Sequence, residues 1–348
     1  MTTSMRELDG DELALQAYFR DQDVTDGLPI IIPTRERVDD FLARSGFSAG
    51  RNNVVGAVPP LNEPISVEDV AVNTLMAGAQ PEALGVLLAA VEAIQEPRFA
   101  VDKLQFTTNP VAPVLVINGP SIERLGIGTG NHALGPGRHA NGAIGRALRF
   151  VLHNLGGGDD DIDHATHGQP AKYTFCFGEA ESRSPWEPYH VSQGFSADQS
   201  VVTVVGIENI INIVPITDRN REMAGPLLHQ LGRLMQAVGT NNFFSHGSPV
   251  IVLNPGHAAR LQAEGYDRSR LQHAAFEAGQ APIEDYPYGN YPTANWTVRD
   301  GKVFPCERAE DIVVLVAGGD EPLHTLYLQP FYPNLSTSRE VWTPQRCQ

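Results

Sequence analysis

The spacing of apolar positions changes along this chain, and the changes mark its elements. After a polar, acidic and helical lead-in over residues 1–23, Asp26 to Thr34 is an extended apolar run ending at a proline. Thr34 then caps a predicted helix through Val38, Phe41 and Leu42. Residues 45–65, interrupted by Gly46, Gly50, Pro59, Pro60 and Pro64, read as loop. Ser66 with Asp69 forms a capping-box pattern ahead of Val70, Leu75 and Met76. Pro81 suits the first turn of a helix through Leu84, Leu87, Leu88, Val91 and Ile94. Helical spacing returns at 140–155, 222–238 and 268–278. Short apolar runs at 114–117, 200–206, 210–214, 249–254 and 311–319 predict strands, the last of them entering a Gly-Gly turn followed by His324. Tyr173–Phe177 alternates, which puts Phe175 and Phe177 on the face opposite Cys176. Residues 281–310 are irregular.

The stretch Gly126–Gly158 stands apart. Its first half is a glycine-rich loop without an apolar face. Its second half carries Ala143, Ile144, Ala147, Leu148, Val151, Leu152 and Leu155 at helical spacing. The bend at Gly135-Pro-Gly137 feeds a helix start bearing Arg138, His139 and Asn141. Free backbone N–H groups and the positive end of the helix dipole collect there, so the start is a candidate seat for a carboxylate or phosphate. An ordinary loop and buried helix is the competing reading.

Two segments echo each other. Pro113-Val-Leu-Val-Ile-Asn118 continues to Arg124-Leu125, and Pro249-Val-Ile-Val-Leu-Asn254 continues to Arg260-Leu261 at the same spacing. Each lies between helix candidates. The pattern predicts an α/β fold of two related lobes, an internal pseudo-duplication facing a central cleft. The divisions are an arm at 1–25, a first lobe at 26–158, a site-bearing connection at 159–200, a second lobe at 201–331 and a tail at 332–348. The tail is expected to wrap a surface or a partner.

Composition narrows the function. A net charge of −16 over 348 residues opposes nucleic-acid or anionic-membrane binding as the main task. No apolar run reaches transmembrane length, and the N-terminus lacks a basic-then-apolar signal, so a cytoplasmic protein is expected. Cys176, Cys306 and Cys347 have no CxxC spacing, which suggests neither a disulfide framework nor a zinc knuckle. An apolar-rich, acidic chain with terminal arms is expected to be a homodimer.

The connecting segment holds the candidate chemistry. His164 and His167 have H-x-x-H spacing beside Asp159, Asp160, Asp161 and Asp163, a pattern compatible with a divalent metal, although a solvated acidic loop is the preferred reading. No cofactor is required by the sequence. Cys176, Glu179, Glu187 and His190 supply a nucleophile and acid/base groups, and Pro185 and Pro188 stiffen the backbone between them. The bland alternative is a tethered loop with Trp186 as a hydrophobic plug and His190 a satisfied core residue. Arg138, Asn141, Glu179, Glu187 and His190 are expected to converge on one cleft, because the helix start has a cation and the proline-rich segment has the proton acceptors. His246, in a polar-aromatic loop before the second echo strand, is a further candidate ligand contact.

The segments Asp26-Gly-Leu-Pro, Ala71-Val-Asn-Thr-Leu-Met-Ala-Gly78, Val116-Ile-Asn-Gly-Pro120, Gly135-Pro-Gly137 with Ala140-Asn-Gly-Ala-Ile-Gly-Arg-Ala147, and Ser184-Pro-Trp-Glu-Pro188 with His190 resemble a poorly characterised bacterial family. Its members are encoded beside, or fused to, UGSC-type proteins, named for a selenocysteine-or-cysteine, Gly, Ser, Cys motif. The resemblance spans roughly residues 26–320. It implies site roles for Cys176, Glu179, Glu181, Trp186, Glu187 and His190, and for Gly135, Gly137, Asn141 and Arg146. His132, His139, His164 and His167 depart from the family pattern. The UGSC motif is absent, so the resemblance places any reactive thiol or selenol on another polypeptide.

Three functions fit these readings. The first is an enzyme acting on a small anionic substrate by acid–base cleavage or addition at a carbon–heteroatom bond, of lyase or hydrolase type. The second is the substrate-binding subunit of a reductive complex with a UGSC-type partner. The third is a non-catalytic small-molecule-binding protein.

Overall fold

The computed structural model describes residues 6–159, 161–215, 222–236, 247–286, 298–321, 323–331 and 333–347. The fold is α/β. Its helices are α1 (Glu12–Asp21), α2 (Arg35–Ser45), α3 (Val67–Met76), α4 (Leu84–Ile94), α5 (Val101–Gln105), α6 (Ser121–Leu125), α7 (His139–Phe150), α8 (Tyr189–Ser192), α9 (Ala224–Met235), α10 (Pro255–Ala263) and α11 (Arg268–Ala278). Its strands are β1 (Val54–Ala57), β2 (Pro64–Ser66), β3 (Ala112–Asn118), β4 (Cys176–Gly178), β5 (Val201–Ile213), β6 (Val250–Leu253), β7 (Ala281–Pro282), β8 (Val298–Arg299), β9 (Lys302–Val303), β10 (Val313–Val316), β11 (Thr325–Pro330) and β12 (Thr337–Glu340).

Local signals set the helix starts. The Thr34 side chain accepts from Arg37 N, and Ser66 and Asp69 form the reciprocal capping box. The Asn254 and Asp267 side chains cap α10 and α11 in the same way. The helical stretch begun at His139 carries on past Phe150 as a π-helical turn, Val151–Leu155. The runs at 200–206 and 210–214 join as a single strand, β5, through Gly206. Asn334 packs on that glycine so closely that a Cβ there would lie 2.3 Å from Asn334 Oδ1.

The main sheet runs β10-β6-β11-β5-β3-β4, with β12 also on β5. β3 lies parallel to β4 and antiparallel to β5, and β6 lies parallel to β10 and antiparallel to β11. The centre is the antiparallel pair β5–β11. The order therefore reads alike from both edges, and the two echo strands, β3 and β6, hold corresponding places. They do so within one continuous sheet. The expected picture of two lobes separated by a cleft is replaced by two sectors joined through β5 and β11.

Alternation along the strands sorts side chains to two sides. One side gathers Val114, Val116, Phe175, Phe177, Val205, Ile207, Val250, Val252, Val313, Leu315, Ala317 and Leu328, with contributions from every strand of the sheet but β12. Among the described residues no long helix covers that side; Ala133 of the glycine-rich loop, Ala171 of a 3-10 turn and Tyr189 of the short α8 fill it. The sheet curls so that the chain just past β4 reaches the opposite edge, where Ala180 N donates to Val316 O of β10 at 2.7 Å.

The opposite side carries two helical layers. α2, α3, α4 and α7 pack over Leu115, Ile117, Cys176, Val202 and Val204, while α9, α10 and α11 pack over Ile213, Ile251, Leu253, Val314, Val316 and Tyr327. Every residue of α4 but Glu92 is buried, and each fully buried leucine there contributes about 1.5–3 kcal/mol.

The arm and tail both dock on the chain itself. Gln16 of α1 donates to Ile30 O and accepts from Ile30 N. At the other end Trp342 N donates to Gly85 O, Trp342 Nε1 and Arg346 hold Glu92, and Asn53 donates to Cys347 O. Among the described residues no helix is long and apolar enough to cross a membrane.

Candidate functional site

The glycine-rich loop is held from below by Asn141. Its Oδ1 accepts from Gly128 N at 2.8 Å, and its Nδ2 donates to Gly128 O and Ala133 O at 3.2 and 2.9 Å. Asn141 is buried, so its amide shapes the loop and is not offered to a ligand. Arg146, also expected at the site, grips Asp26 through two 2.7 Å bonds and lies over the Phe150 ring. The Asp26-Gly-Leu-Pro segment is thereby tied to α7. Arg138 and His139 are exposed at the start of α7, and no side chain caps that start. The Arg138 stem lies over Gly128, where a Cβ would be 2.5 Å from its Cγ. Gly135 and Gly137 are exposed, and Gly137 takes φ +102°.

The proline-stiffened segment meets the loop through its backbone, Gly178 N donating to Gly128 O at 3.2 Å. Its side chains divide. The Glu179 carboxylate is fully enclosed, accepting from Asn118 Nδ2 (2.6 Å), Tyr189 N (2.7 Å) and Arg268 Nη2 (2.8 Å). Burial pushes its carboxyl up, against the opposing pull of Arg268, the Tyr189 amide and Asn118. Burial likewise pushes Tyr189 up to about 12. Glu181 Oε1 accepts from Asn118 Nδ2 and Gly119 N and stands 3.6 Å from His190 Nδ1. His190 is fully buried, and among the described residues neither ring nitrogen has a hydrogen-bond partner.

Glu187 does not join this cluster. Its side chain is exposed and only its carbonyl is used, accepting from Arg268 Nη1. Trp186 packs into the second helical layer, donating to Gln262 Oε1 and Tyr266 O, which is the plug of the plainer sequence reading. Cys176 is buried in β4, and desolvation pushes its thiol up, which keeps it protonated and removes it as a ready nucleophile. Glu179 is thus linked through Asn118 to Glu181, the carboxylate beside His190, while Arg138 and Glu187 remain at the surface.

Arg268 was absent from the sequence reading. It is the first residue of α11, where a cation opposes the helix dipole. That conflict is the signal that it serves a partner elsewhere. It donates to Val314 O, Glu187 O and Glu179, and its guanidinium faces the Trp186 and Tyr189 rings.

A recess of about 370 Å3 opens beside the glycine-rich loop. Its floor is the buried Val252, Ala317 and Asn254 with the half-buried Leu326, and its rim is the exposed Asn131, His132, Glu321 and His324, with Gly135, Gly318 and Gly319 in the walls. The Gly-Gly turn noted in the sequence therefore faces the Gly126–Gly137 loop, and Gly318 N donates to Thr129 O at 2.8 Å. The approach is so close that a Cβ on Gly319 would collide with Asn131 Oδ1. His132 sits at φ +60°, a left-handed conformation that a non-glycine residue holds only when its surroundings enforce it. Arg183 fixes the turn from outside, donating to Gly318 O and pairing with Asp320.

His164 and His167 are exposed, and Asp163 is engaged by Arg149 and Lys172. Burial, and then the Arg149 charge, pushes Lys172 down. No cluster of three or more metal-ligating side chains occurs among the described residues. His246 and Asp160 lie outside the described residues. No known family model matches the chain, and no curated protein is detectably similar to it.

Proposed function

We propose that this chain is an enzyme acting on a small anionic substrate in the recess, by acid–base cleavage or addition at a carbon–heteroatom bond. The observation that carries the reading is the meeting of two glycine-rich segments around one recess whose rim bears His132, Glu321 and His324. Glycine walls bring backbone close to a ligand, and an apolar floor offers it a surface to sit on. Imidazole and carboxylate side chains are the groups suited to moving protons near neutral pH. Arg138 and His139, three and four residues beyond Gly135, supply the field that draws the anion.

The test begins with a thermal-shift screen of small carboxylates and phosphates, followed by turnover of the binders. Glu321→Gln or His324→Ala should lower turnover by about 10²–10⁴-fold with the melting temperature unchanged. Absence of any ligand-dependent shift, or full activity in both variants, would refute the reading. The second reading is a reductive complex with a UGSC-type partner. It is favoured by the burial of Cys176, Cys306 and Cys347, which leaves the described chain without an accessible thiol. Turnover that appears only with such a partner and a thiol would select it. A cytoplasmic homodimer belongs to both readings, and light scattering checks the assembly.

A further inference from the structure

We infer that His324 is a specificity-determining residue, set as a hydrogen-bond donor that selects ligands with an acceptor oxygen on an apolar body; this rests on the recess being the ligand site. His324 is fixed at two points. Its carbonyl accepts from Asn254 Nδ2 at 2.6 Å, and its ring Nδ1 lies 3.0 Å from Asn212 Nδ2 at the end of β5. A side-chain amide nitrogen only donates, so Nδ1 is the acceptor of that bond. The neutral ring then carries its proton on Nε2, which is left as a donor. The next residue is anchored as well, Thr325 Oγ1 standing 2.8 Å from His257 Nδ1 in the interior.

The recess complements that donor. Its floor of Val252, Ala317 and Leu326 takes an apolar body, and His324 on the rim takes the oxygen of a carboxylate or a neutral carbonyl. An ammonium head would meet the N–H of His324 donor against donor. Glu321 on the same rim sets a negative charge against an anion, so the two oxygen sources differ in how that residue treats them. Asn212 acts through His324 and is a positioning residue.

The probes are benzoate, benzamide and benzylamine, titrated into the full chain and followed by NMR of the His324 ring nitrogens and by calorimetry. The free protein should show the Nε2–H tautomer. Benzoate or benzamide should bind at least tenfold more tightly than benzylamine. Benzoate ahead of benzamide identifies a carboxylate head, and the reverse order identifies a neutral carbonyl; either order supports the inference. His324→Ala should remove the preference over benzylamine, and His324→Gln, which keeps an N–H donor, should restore most of it. Asn212→Ala should give a mixture of tautomers and weaken the preferred probe several-fold. An Nδ1–H tautomer, or tighter binding of benzylamine, would overturn the inference while leaving the recess as the ligand site. Binding of none of the three would overturn both.

Discussion

Glu179 and Glu187 are eight residues apart and chemically identical, yet they have opposite environments. Glu179 is enclosed by three donors, one of them the Arg268 guanidinium, and Glu187 stands in water. Removing one partner of a buried ion pair strands the other, at a cost of about 3–5 kcal/mol. Arg268→Ala should therefore lower the free energy of unfolding by about that amount in urea titrations, whereas Glu187→Gln should change it by less than about 0.5 kcal/mol. Equal effects would show that Arg268 is not the counter-charge. The thiols give a second check. Burial pushes Cys176 and Cys306 up, so both should resist alkylation at pH 8 in the folded chain and react after denaturation, as read by mass spectrometry. Both Cys176 and Glu187 were legible as chemistry-bearing residue types. Their exposure was not, because it depends on which neighbours the fold brings, and those lie up to about a hundred residues away.

In α7 two glycines three residues apart have different reasons for being there. A Cβ on Gly142 would meet nothing within 4 Å, while one on Gly145 would lie 2.5 Å from both Phe175 N and Thr174 Oγ1. Gly142→Ala should stabilise the chain by about 0.5–1 kcal/mol through helix propensity. Gly145→Ala should destabilise it by about 1–3 kcal/mol, because the strand entering β4 would have to move. The contrast is measurable by thermal unfolding, and a matching gain in both variants would contradict the close packing of α7 on that strand. The helix itself was readable from its apolar spacing, and so was its loop. The downward, loop-pinning orientation of Asn141 was not, since the same residue at a helix start could equally have faced solvent.

The tail packs into the first helical layer of its own chain. Trp342 is buried, its amide bonded to Gly85 and its indole to Glu92, and a Cβ on Gly85 would lie 2.2 Å from Trp342 O. Trp342→Ala should cost about 3–5 kcal/mol. Gly85→Ala should cost about 1–3 kcal/mol by displacing the same segment. Their effects should fall short of additive in the double variant, since both act on one contact. Full additivity in denaturant titrations would mean the tail does not seat on α4. The curled sheet gives the tail this position: β12 pairs with β5 and delivers residues 341–347 to the outer side of the sector built on β3.

What could be read from residue order alone is what depends on neighbours along the chain. Thr34, Ser66 and Pro81 announced helices because capping and proline geometry act within one turn. The echo of Pro113–Asn118 in Pro249–Asn254 located two strands with the same pairing pattern, and the alternation at Tyr173–Phe177 correctly assigned its faces. The glycine-rich loop and the Gly-Gly turn were each visible as places where backbone could approach a ligand. That they form two walls of one recess was decided by sheet closure, which brings residues near 130 against residues near 318. Long-range pairing also turned two expected lobes into one sheet, buried Glu179 beside Arg268, and brought the His324 ring to 3.0 Å from the Asn212 amide. Each of these depends on contacts between residues about ninety or more positions apart, and spacing along the chain carries no information about which distant segments meet.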